Sequence, residues 1–109
     1  SMEAVCLLLD RGATIDIRDA NGATPLMRAC LMGRVEVVRL LLARGADPSL
    51  RDQSSWTALM EASGGPAGSD HVAVIRLLLE DGRVAVDART SDGRTALWWA
   101  CFDGHTDRA

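Results

Sequence analysis

Lysine and tyrosine are absent from this 109-residue chain, and phenylalanine occurs once. Without lysine there is no phosphate-gripping loop lysine, no Schiff-base amine and no lysine general base, because all twelve basic residues are arginines. Aromatics make up 4% of the residues against 48% hydrophobic, so the core must come from Leu, Val, Ala and Met, an aliphatic set that favours helices. Apolar runs all fall well short of the ~20 residues that span a bilayer, and no signal-peptide pattern is present. Cysteine is scarce and odd in number. Cys6, Cys30 and Cys101 form no C-x-x-C pair, which argues against a disulfide framework and a zinc site. The expectations are therefore no metal, no cofactor, no membrane insertion, and a reducing cytoplasmic or nuclear setting. A net charge of -3 with alternating signs and no basic stripe argues against nucleic acid as a partner.

Three short words recur. LLLDRGA (7–13) returns as LLLARGA (40–46) and LLLEDGR (77–83). TPLMRAC (24–30) returns as TALMEAS (57–63) and TALWWAC (95–101), each preceded by a turn-rich lead-in: DANGAT, DQSSWT and TSDGRT. Such spacing is the signature of a repeat architecture. Each unit reads as a turn, a short helix, a tight loop, a longer helix and a return loop. Thr24 and Pro25 suit a helix start, with Leu26, Ala29 and Cys30 on one small-residue face. Gly33 stops that helix. Val35, Val38, Leu41 and Leu42 then give the second helix its apolar face, Gly45 ends it, and Asp47 with Pro48 opens the return turn.

The pattern resembles the ankyrin repeat over essentially the whole chain. Asp19, Gly22, Thr24, Pro25, Leu26, Ala29, Gly33, Glu36, Val37, Val38, Leu40, Leu41, Leu42, Gly45 and Ala46 all fall on the family motif. The resemblance implies an all-α solenoid of stacked helix-turn-helix units joined by hairpin-like loops. It divides the chain into a half repeat (1–18), a repeat (19–51), a repeat with a lengthened inter-helix loop (52–89) and a half repeat (90–109). Ser1 ahead of Met2 reads as the remnant of a processed tag, so a piece of a longer protein is expected. The family histidine after T-P-L is replaced by Met27, Met60 and Trp98, where apolar packing is expected instead.

Candidate chemistry is thin. SGGPAGSD (63–70) is glycine-rich but does not fit a phosphate-binding loop, and reads as a longer connection in which Pro66 blocks helix continuation and Ser69 or Asp70 caps the next helix. His71 and His105 fall at or near a structural position between paired helices. Cys30 and Cys101 are expected to be buried small-position residues. Cys101 and His105 are four apart, yet the helical pattern ends at Gly104, so no nucleophile–base pair is assigned. Asp19, Asp52 and Asp92 sit at turn tips, where aspartate shapes the turn. The family's hydroxylation asparagine is matched by Asp16, Ser49 and Asp87, none of them Asn. No catalytic residue is assigned.

The resemblance implies that partners meet the turn tips and the outward side of the first helix in each unit. Those positions include Asn21, Arg28, Leu31 and Met32, then Gln53, Ser54, Trp56 and Glu61, then Arg94, Trp99, Phe102 and Asp103. Trp56, Trp99, Phe102, Leu31 and Met32 are the expected apolar anchors, since large exposed apolar groups mark interaction sites. Arg28, Glu61, Arg94 and Asp103 are the expected polar contacts. Trp98 is assigned to packing. The expected role is a non-catalytic module that binds another protein or peptide, in a scaffold, adaptor or regulatory protein. Alternatives are head-to-tail self-association through open half repeats and a regulatory segment of a larger enzyme or channel.

Overall fold

The computed structural model of the chain describes residues 2–64 and 69–102. Six helices follow one another: α1 (Met2–Asp10), α2 (Pro25–Met32), α3 (Val35–Ala43), α4 (Ala58–Gly64), α5 (Ser69–Asp81) and α6 (Ala96–Cys101). Among the described residues there is no strand. The short helices α2, α4 and α6 pack side by side, and α3 packs on α5 behind them. This is the all-helical stack of helix-turn-helix units that the repeated words predict.

Each short helix starts the same way. The hydroxyl oxygens of Thr24, Thr57 and Thr95 accept from the backbone N–H of Met27, Met60 and Trp98 at 3.3, 3.3 and 3.2 Å. A threonine cap of this kind satisfies a helix N–H that has no intrahelical partner. Gly33 closes α2 in the left-handed region at φ 70. A side chain there would also collide with His71, whose ring lies 2.7 Å from where a Cβ would stand.

The turns ahead of these helices share one design. Asp19 Oδ1 accepts from the N–H of Asn21 and Ala23, and Asp52 Oδ1 accepts from Ser54 and Trp56. In the third copy Thr90 stands in, its hydroxyl accepting from the Arg94 N–H and donating to Asp92. Gly22 and Gly93 occupy the left-handed position of their turns, but the second copy places Ser55 there at φ 66.

Neighbouring units are tied by polar contacts. Arg18 donates to the carbonyls of Gly22 and Arg51, and Arg51 repeats this with Ser55 and Arg89. The tips are linked as well, through Gln53 N to the Asn21 carbonyl and Ser91 Oγ to the Ser54 carbonyl. His71 on α5 reaches back to the Leu31 carbonyl, with Nε2 at 2.8 Å. Its structural position is as expected, while His105 lies outside the described residues.

The core holds Leu26, Met27, Cys30, Val38, Leu41, Met60, Val74 and Leu78, all essentially sealed from solvent. Met27 and Met60 fill their positions by apolar packing, as predicted. Burial pushes the Cys30 thiol up to about 12, with the charge of Glu61 adding to it, which makes it inert as a nucleophile. Cys101 departs from expectation: it is exposed, since α6 has no second helix behind it among the described residues. The 63–70 connection is also shorter than predicted. Ser63 and Gly64 belong to α4, where Ser63 Oγ donates to the Leu59 carbonyl at 2.8 Å, and α5 already runs from Ser69. Ser69 and Asp70, expected to cap α5, are instead the first residues within it, and Pro66 lies outside the described residues.

Candidate functional site

Position 28 of α2 recurs as 61 in α4 and 99 in α6, and these three side chains face the same side of the stack as the turn tips. What each does depends on its neighbours. Arg28 is exposed and holds Asp19, with Nε and Nη2 at 3.0 and 2.7 Å from Oδ2. That hydrogen-bonded pair holds the Asp19 carboxyl below its ordinary range.

Glu61 is different. It lies in the middle helix of the three and is only 8% exposed, against an expectation of a surface contact. Its carboxylate makes none of the hydrogen bonds or ion pairs found among the described residues. Burial pushes its pKa up to about 7, the charge of Asp52 pushes the same way, and Arg28 opposes both. A buried carboxylate without a partner is costly, and its protonation shifts accordingly.

Glu61 opens into a cavity of about 280 Å³. Arg28 and Leu31 of α2 form one wall, and Asn21, Asp52, Gln53 and Ser54 of two successive tips form the rim. Trp56 also lines it. Four residues expected to meet partners, Arg28, Leu31, Trp56 and Glu61, therefore share one cavity. Asn21, Asp52, Gln53 and Ser54 complete it, and the first, third and fourth of these were legible as tip positions.

The remaining candidates form a second group. Trp99 lies against Trp56 with ring centroids 4.6 Å apart and planes tilted by 38°. Both are half-buried, so Trp99 is not the free surface ring expected from its register. Gly64 packs beside the pair, where a Cβ would stand in ordinary contact with the Trp56 ring at 3.4 Å. The indole Nε1 of Trp99 is buried with no hydrogen-bond partner. Trp98 stacks on Phe102 at 4.6 Å, and the Arg94 guanidinium sits 4.2 Å over Trp98. Met32 and Phe102 are 65% and 59% exposed, and Met32 is apart from both groups. Asp103 lies outside the described residues. No group of three or more metal-ligating side chains occurs among the described residues.

Two comparisons bear on this arrangement. The family described as "Ankyrin repeats (3 copies)" matches residues 1–67 and 45–109. The chain belongs to the ankyrin repeat family. The ankyrin repeat protein "Ankyrin repeat and KH domain-containing protein mask-1" of Caenorhabditis elegans is 40% identical over 107 residues. The match covers 98% of this chain and 4% of that relative. Ankyrin repeats are in general protein–protein interaction modules and are typically non-catalytic. No helix among the described residues is long and apolar enough to cross a membrane.

Proposed function

We propose that this ankyrin segment is a non-catalytic binding module of an intracellular scaffold, adaptor or regulatory protein, and that its partner meets the face made by the turn tips and by α2, α4 and α6. The observation that carries the reading is the cavity around Glu61. It joins tip residues of two units to helix residues of two units, so a partner filling it reads the stack rather than one repeat. Arg28, Leu31, Met32, Trp56, Glu61, Arg94, Trp99, Phe102 and Asp103 remain the contact set, with Trp56 and Trp99 also holding units together. A rigid, pre-formed surface limits the ordering cost of association.

The test uses affinity capture from cell lysate with the chain and with an Arg28→Glu/Met32→Glu variant whose helicity is checked by circular dichroism. Both side chains are exposed and outside the core. The expected result is a protein captured by the parent chain and depleted at least ~tenfold by the variant, the scale of a lost charged contact. Equal capture by both would place binding on another face.

A second reading, head-to-tail self-association, is favoured by exposed apolar residues on α1 and α6. Leu7 and Leu8 of α1 are 57% and 62% exposed, and Leu97 of α6 is 71% exposed. Leu41 and Leu78, which occupy the register of Leu8, are buried by contrast. Light scattering over a concentration series is expected to show growing mass under this reading, and a constant monomer mass at high concentration would exclude it.

A further inference from the structure

The cavity beside Glu61 has a charge balance that specifies what enters it. Two carboxylates, those of Asp52 and Glu61, line it with a single guanidinium, that of Arg28. Arg28 is already engaged by Asp19 through two nitrogens. Asp52 commits one oxygen, Oδ1, to the amides of Ser54 and Trp56 at 2.8 and 2.9 Å. Its other oxygen makes none of the hydrogen bonds found among the described residues. Glu61, more than nine-tenths buried and without a partner, lines the same cavity. The site therefore has unspent acceptor capacity at its floor and rim, and an indole on its side.

Resting on the reading that this face binds protein, we propose that the cavity receives an arginine side chain of the partner, its guanidinium paired with Glu61 and stacked on Trp56. The alternatives fit less well. An anion would meet the unpaired Glu61 and Asp52, while Arg28 is already satisfied. A divalent cation needs a cage of oxygens that is not assembled here. Arginine fits better than lysine because its planar, weakly hydrated fork can bridge two carboxylates and lie on an aromatic ring, whereas an ammonium is a compact, strongly hydrated charge. A long aliphatic stem would also cover Leu31 on its way in.

The probe is the capped tripeptide Ala-Arg-Ala, compared with Ala-citrulline-Ala, which keeps the shape and removes the charge. Binding is read by NMR from the indole N–H of Trp56 and the backbone amide of Glu61 in the folded chain. The expected result is a saturable shift for the arginine peptide with Kd in the millimolar range, and at least ~tenfold weaker binding for citrulline or for Glu61→Gln, as a charge-assisted contact requires. Equal shifts from both peptides, undiminished binding by Glu61→Gln, or no shift at all would overturn the proposal. Those outcomes leave the protein-binding reading standing if the Arg28→Glu/Met32→Glu variant still loses its captured partner. If that variant loses nothing, the binding face itself is wrong.

Discussion

Replacing Trp99 with alanine is expected to lower the folding free energy by about 3 kcal/mol, the lower end of what truncating a buried tryptophan costs. The residue is half-buried rather than sealed, which sets the value at that end. Its ring touches Trp56 at 4.6 Å and Trp98 edge-on at 4.8 Å, so it joins α6 to the tip that precedes α4. Pairs of this kind add roughly 1 kcal/mol beyond the area they bury. A double-mutant cycle with Trp56→Ala should therefore show a coupling of about 1 kcal/mol. Urea unfolding of the four proteins measures all of these quantities. Trp99→Phe makes a sharper contrast. It keeps a ring but removes the buried Nε1 that has no partner, so it should cost less than about 1 kcal/mol. A loss below that size for Trp99→Ala would mean that the pair is surface decoration and contributes nothing to stacking.

This result bears on the design of binding experiments. A protein lacking both Trp56 and Trp99 would lose stability and contact area together, and a lost partner would have two explanations. Arg28 and Met32 are the better probes because neither belongs to the core.

The repeat was legible in the sequence because its backbone punctuation is chemical. Thr24, Thr57 and Thr95 must cap, Gly22 and Gly93 must take positive φ, and Asp19 and Asp52 must fold their turns, so each left a residue that pattern reading finds. The apolar register of Leu26, Val38, Leu41 and Leu78 was equally open to reading, since helical spacing alone selects a buried face. Burial of the outward positions was not. Arg28, Glu61 and Trp99 share one register, yet Arg28 is exposed, Glu61 is largely buried with an opening into the cavity, and Trp99 is half-covered. For Trp99 the difference comes from Trp56, in the tip that precedes α4, whose ring lies 4.6 Å from it, and no periodicity within one unit reports that. Gly64 was read as a loop residue on composition, and it instead belongs to α4, where it packs against the Trp56 ring. The straps formed by Arg18 and Arg51 repeat at a fixed place just before the turn. That recurrence was the signal, and it escaped notice because an arginine in a return loop reads as an ordinary solvated charge.

Glu61 is where stability and the proposed binding role oppose each other. A carboxyl whose folded pKa is about 7 rather than 4.5 binds its proton more tightly in the folded chain than in the unfolded one. The folded state therefore holds more protons between those values, and stability declines as pH rises across that window, levelling off above 7. Asp19, Asp47, Asp81 and Asp92 are shifted the other way. Their contributions fade only in acid, below the range where Glu61 acts. Glutamine at position 61 keeps the shape of the neutral side chain and is insensitive to pH. Glu61→Gln should thus stabilise the chain above pH 7 by on the order of 2–3 kcal/mol, and the gain should shrink to near zero by about pH 4.5. Taking the difference between the two proteins cancels the contributions of groups common to both.

The most direct test is the folding free energy of the chain and of Glu61→Gln by urea unfolding from pH 4.5 to 8. The account predicts that the variant is the more stable protein at neutral pH and that its advantage grows as pH rises, marking Glu61 as a residue the fold would be better without and a partner's cation would satisfy. If the variant is less stable at every pH, Glu61 is a structural residue with its charge already satisfied, and the cavity is not a site waiting for a positive group.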